Sequence, residues 1–141
     1  MSASPPASDL HSPDAATDSV ARAGAIAIAA ARLGLGLAIA TSTRRALAGL
    51  GFDDPGAGAI ALARLAGGRD IALGLHGLSA RDDRARLAES SAIATAVDAG
   101  DGIAFAAAIA SGEMSKRVAV NIPLIAVAVV AGGWVTARLR G

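Results

Sequence analysis

The sequence predicts an all-α protein, a four-helix antiparallel transmembrane bundle behind a disordered N-terminal tail. Four apolar stretches, at about 22–41, 57–80, 91–110 and 118–137, each approach the ~20 residues with which a helix crosses about 30 Å of hydrocarbon. The polar segments between them are short, so neighbouring helices are expected to run antiparallel. The 141 residues are 53% apolar and only 2% aromatic, with 17 Gly among them. Such a chain packs its helices through small side chains.

The same composition excludes several classes of function. The absence of cysteine removes a disulfide framework, a thiolate zinc site, an iron–sulfur cluster and a cysteine nucleophile. A mean hydropathy of +0.51 sets the chain apart from disordered proteins. A formal net charge of +1 gives no footprint for nucleic acid.

Residues 1–19, MSASPPASDLHSPDAATDS, have almost nothing to bury and are expected to form the tail, leaving 20–141 as the helical domain. The tail is not expected to act as a secretory signal, because the first basic residue is Arg22. In the first stretch, six Leu and Ile contribute about −3 kcal/mol to insertion, which a central Arg32 at roughly +2.5 to +3.5 kcal/mol nearly cancels. Its insertion alone is marginal.

The polar runs Ser42–Arg45 (STRR) and Asp53–Gly56 (DDPG) then punctuate the chain. The glycine-rich Ala48–Gly58 lacks the Gly-Lys-Ser/Thr ending of a phosphate loop and follows no strand, so it reads as a turn. Asp53 or Asp54, before Pro55, is expected to cap the second helix. That helix carries Arg64, Arg69, Asp70 and His76, and the third carries Asp98 and Asp101. The two aspartates cost on the order of 5 to 7 kcal/mol against about −2.5 kcal/mol from the apolar residues around them. Neither segment should enter a bilayer by itself. The fourth stretch has no charge and should insert unaided, with Asn121 and Pro123 opening it where a missing N–H costs least.

A rise of about 1.5 Å per residue resolves the difficulty. Counted inward from the ends of alternating helices, Arg32 lies about 15 Å deep, Arg69 about 16 Å, and Asp98 and Asp101 about 12 and 16 Å. The charges converge on one level. Three cations (Arg32, Arg64, Arg69) and three anions (Asp70, Asp98, Asp101) can then neutralise one another. A soluble Ala-rich bundle is the alternative. For orientation, six basic residues flank one side (Arg22, Arg81, Arg84, Arg86, Arg138, Arg140) and four the other (Arg44, Arg45, Lys116, Arg117). The positive-inside bias puts both termini in the cytoplasm, with Trp134 as an interfacial anchor.

The candidate site is therefore a buried charge network of Arg32, Arg69, Asp70, Asp98 and Asp101 holding the first three spans together, with Arg64, His76, Thr95 and Asn121 as accessory polar groups. Neighbouring residues on a helix point about 100° apart, so Arg69 and Asp70 are expected to look to different partners. Asp70 shares its face with Gly67, Gly74 and Gly77, where another helix can approach closely. Ser91, Thr95, Asp98 and Gly102 form one polar stripe with Asp101 on its edge. Two carboxylates one turn apart either sit as charge-compensated packing groups or share a proton as a relay. One core histidine gives no set of metal ligands, and no cofactor motif is present. His76 reads as a packing residue.

The motifs LGLGLA (Leu33–Ala38), ALAGLGF (Ala46–Phe52), RLAGGRDIALGL (Arg64–Leu75) and VDAGDGIAF (Val97–Phe105) together resemble a family of small bacterial four-helix membrane proteins, frequent in actinobacteria and of unknown function. The resemblance covers most of the chain after the tail. It implies an integral protein of the inner (plasma) membrane with no assigned activity. The function expected is a structural or accessory membrane subunit rather than an enzyme, with the lipid bilayer and either a second copy or another membrane protein as partners. The alternative is a small proton-coupled transporter or carrier using Asp98 and Asp101.

Overall fold

The computed structural model describes residues 13–52, 54–113 and 117–141. The first twelve residues of the expected tail, Asp53 and Lys116 lie outside them. Five α-helices follow in order: α1 (Pro13–Thr41), α2 (Thr43–Gly49), α3 (Ala57–Ser79), α4 (Arg84–Ala110) and α5 (Asn121–Arg140), the last entered through a 3-10 turn at Val118–Val120. There is no strand among the described residues. Three helices, α1, α4 and α5, are long and apolar enough to cross a membrane. Helix α3 is long but carries Arg64, Arg69 and Asp70 in its middle turns, and falls outside that group.

These boundaries correct the sequence reading in several places. Helix α1 begins at Pro13, so 13–19 are helical rather than tail. The STRR run does not merely punctuate. The chain bends at Ser42 and re-enters a helix, α2, which makes five α-helices among the described residues where four are expected. The Thr43 hydroxyl donates to the Ile39 carbonyl at 2.7 Å, one of those the end of α1 leaves open, and the Thr41 hydroxyl bonds back to the Leu37 carbonyl at 2.8 Å. The expected aspartate cap of α3 is absent. Gly56 occupies the N-cap, and Asp54 instead adopts a left-handed turn conformation with φ 47°, which a short polar side chain tolerates. Helix α4 starts at Arg84, within the segment expected to be a loop, because Asp83 accepts from the Arg86 N–H at 3.1 Å as an N-cap.

Helix α1 packs along α3, α4 packs along α5, and α1 also meets α5, whereas α3 and α4 touch lightly. Small residues set the first seam. A Cβ on Gly36 would lie 2.6 Å from the Gly67 carbonyl oxygen, and one on Gly74 would lie 2.7 Å from the Leu33 nitrogen. The two backbones are in contact there. Along the seam Gly36 meets Gly67 and Ile71 while Ala29 meets Gly74 and Gly77, so numbers that rise along α1 fall along α3.

At the end shared by the start of α1 and the close of α5, Ala21, Ala25, Ala80, Leu87, Ala88, Val135 and Leu139 form a buried cluster. Arginines fasten the same end. Arg84 donates to the carbonyls of Leu139 and Arg138 at 2.9 Å each and to Asp18 at 2.6 Å. Arg22 donates to the Arg81 carbonyl beyond α3 at 2.7 Å. Both cations sit where a helix C-terminus presents unpaired carbonyls and partial negative charge.

Candidate buried charge network

Arg32, in the second half of α1, faces both α3 and α4. Its guanidinium reaches Asp70 on α3 at 2.7 Å, Asp98 on α4, and the Ala94 carbonyl of α4 at 3.3 Å. Asp70 can stand there because Gly67 and Gly74 flank it one turn away on either side and bring α1 close enough for Arg32 to span the gap. The side chains of Arg32 and Asp70 are only 10% and 9% exposed. Asp98 is 18% exposed.

A second pair lies beside the first. Arg69 of α3 grips Asp101 of α4 with two hydrogen bonds of 2.9 and 2.7 Å, the fork geometry in which guanidinium and carboxylate bind best. Both side chains are 37% exposed. Arg69 and Asp70 do take different main partners, yet a long Arg side chain swings back far enough for its Nη2 to lie 3.7 Å from Asp70. That contact joins the two pairs into one network across α1, α3 and α4. The Nε atoms of Arg32 and Arg69 are buried and have no hydrogen-bond partner among the described residues.

Of the predicted site residues, the structure brings Arg32, Arg69, Asp70, Asp98 and Asp101 together and leaves the others apart. Arg64 is exposed and donates to the Thr43 hydroxyl of α2 at 3.3 Å, so the expected balance of three cations and three anions does not form. The assembled network has two guanidiniums and three carboxylates. His76 is exposed rather than packed in the core. Thr95 donates to the Ser91 carbonyl at 2.8 Å and presses against Gly132, in the seam between α4 and α5. Asn121 donates to the carbonyls of Leu50 and Val118 at 2.9 and 3.0 Å, tying the start of α5 to the chain after α2. Neither the Ala94 carbonyl, which no side chain signals, nor Thr43, which lies in the STRR run read only as punctuation, is among the residues predicted from the sequence.

No family model, curated protein or solved structure matches the chain. Two fixed guanidiniums clamp three helices through carboxylates, and one of the two clamps is open to its surroundings. Two cavities lie elsewhere, among the described residues. One of about 510 Å³ is lined by Thr41–Arg45, Ile60 and Arg64 beside α2, and one of about 370 Å³ by Arg84, Glu89 and Leu139 at the other end of the molecule.

Proposed function

We propose that this chain is a four-span antiparallel integral protein of a bacterial inner membrane, with both termini cytoplasmic, serving as a structural or accessory subunit. In this reading α1, α3, α4 and α5 are the spans, and the Arg–Asp network is what allows α3 to enter the bilayer and α4 to carry Asp98 and Asp101 into it. The single observation that carries it is an inverted distribution of polarity. Arg32 and Asp70 are nearly sealed inside, while Leu65, Ile103 and Val130 are 70%, 72% and 72% exposed. A soluble bundle puts its charges outside and its large aliphatic side chains inside. In hydrocarbon the preference reverses, because an outward charge has no water and an outward leucine loses nothing.

A charge left without its partner costs about 3–5 kcal/mol where the site is sealed, as around Arg32, and less where the pair is partly open, as at Arg69 and Asp101. Arg32→Ala, which strands Asp70 and Asp98, and Arg69→Ala, which strands Asp101, are therefore expected to lower membrane accumulation, and removing the opposite charges as well should restore part of it. Recovery of the unaltered protein in the soluble fraction without detergent would overturn the reading.

A second reading, a proton-coupled carrier, is favoured by the charge count. Three carboxylates against two guanidiniums leave one negative charge when all are ionised. One bound proton makes the set neutral, and gain and loss of that proton is the elementary event of a carrier. Proton flux in liposomes that disappears with Asp101→Asn supports this reading, and liposomes with no flux above the lipid background exclude it.

A further inference from the structure

We propose that the open side of α3 and α4 is the contact between two copies of this chain, related by a two-fold axis along the membrane normal. Arg69 of each copy then faces Asp101 of the other. The inference rests on the membrane reading above and adds a partner to it.

The starting point is the difference between two ion pairs of the same chemistry. Arg32 and Asp70 are enclosed by their own helices, whereas Arg69 and Asp101 leave more than a third of each side chain uncovered. Near the middle of a bilayer that uncovered surface would meet lipid tails, which solvate charge poorly. A lipid headgroup would have to leave the interface to reach it. The pair instead calls for a polar neighbour at its own depth.

The geometry specifies that neighbour. The cation stands on α3 and the anion on α4, and because they bond directly they share one level. The line joining them therefore runs across the helices. Two copies inserted in the same sense can be related by a two-fold axis along the membrane normal, and such an axis reverses any line lying in the membrane plane. The result is an isologous contact in which each cation meets the other copy's anion. A patch with one charge of each sign, side by side at one depth, is its own complement.

The flanks suit a helix-on-helix contact. On α3, Leu62, Leu65, Arg69, Ala72 and His76 recur at spacings of 3 and 4 residues, the seam of two packed helices, and apart from Arg69 all of them are exposed. On α4, Gly100 and Ala104 are exposed beside Asp101, and a Cβ on Gly100 would meet nothing within 4 Å. Small residues there leave room for a second backbone. The outer face of α5 offers a contrast. Leu124, Val127 and Val130 are equally exposed but carry no polar group, so lipid alone covers them.

The chain has no cysteine, so introduced cysteines report the contact in native membranes. Ala72→Cys and Ala104→Cys chains, expressed together and treated with a short bis-maleimide, are expected to give a cross-linked dimer, and Val130→Cys is expected to give none. Arg69→Asp chains and Asp101→Arg chains should each lose the dimer alone and regain it when co-expressed, since one presents only anions and the other only cations. Where a charge variant fails to accumulate, the cysteine pattern with the native charges decides. A membrane-bound protein with no dimer at Ala72 and Ala104 overturns the proposal and leaves the membrane reading standing. Equal cross-linking at Val130→Cys, or an adduct whose mass is not twice the chain, also overturns it. Recovery in the soluble fraction overturns both.

Discussion

The seam between α1 and α3 and the cleft between α3 and α4 hold the same kind of ion pair in opposite surroundings. In the seam, glycines bring two backbones into contact and Arg32 and Asp70 are sealed between them. In the cleft, α3 and α4 touch lightly and the Arg69–Asp101 pair is half open. The difference teaches that the backbone, more than the charges, decides whether a polar pair is closed. Where glycine lets helices approach, the pair becomes interior; where it does not, the pair becomes surface.

The largest break in this comparison is Arg32→Ala. It leaves Asp70 and Asp98 facing each other in an enclosed site with no cation in direct contact except Arg69 at 3.7 Å from Asp70, and a loss of about 3–5 kcal/mol in unfolding free energy is expected. Unfolding in detergent micelles measures it. Next comes Gly74→Leu, which forces a side chain against the Leu33 nitrogen and the Ala29 carbonyl oxygen. Overpacking of that kind costs about 1–3 kcal/mol, and the same unfolding experiment should show it.

Arg69→Ala removes the open pair and should cost less, about 1–2 kcal/mol, in the range of interhelical polar contacts in membranes. A variant as damaging as Arg32→Ala would erase the distinction between seam and cleft. The smallest effect sharpens the role of glycine. Gly68 stands next to the buried Gly67 on the same helix but has open space where a Cβ would go. Gly68→Ala is expected to raise stability by about 0.5–1 kcal/mol, because a glycine inside a helix is entropically unfavourable when nothing requires it. A thermal melt that falls instead would show that α3 meets something on that face.

Much of this was legible in the residues. The depth arithmetic brought Arg32, Arg69, Asp98 and Asp101 to one level, because a helix rises by a constant increment and a bilayer fixes where the count begins. The periodicity of Gly67, Asp70, Gly74 and Gly77 showed which face of α3 a neighbour approaches. Rotation about each helix axis was less legible. Arg64 is expected among the three cations of the charge balance but donates to Thr43 on α2, and nothing in a run of four polar residues announces that α2 forms. Helix ends were hidden for a similar reason. Whether Asp54 or Gly56 caps α3 depends on the turn, and Asp54 spends its conformation on the turn itself.

The claim at the centre is that the Arg32 guanidinium, through Asp70 and Asp98, is what fastens α3 and α4 to α1 in the membrane. The most direct measurement compares Arg32→Met with Arg32→Met combined with Asp70→Asn and Asp98→Asn, reading unfolding free energy and membrane accumulation in each. The single variant is expected to collapse on both readouts, and the triple variant, with no unpaired charge left in that site, to recover a large part of the loss. A single variant as stable and abundant as the unaltered protein, or a triple variant no better than the single, would contradict the account.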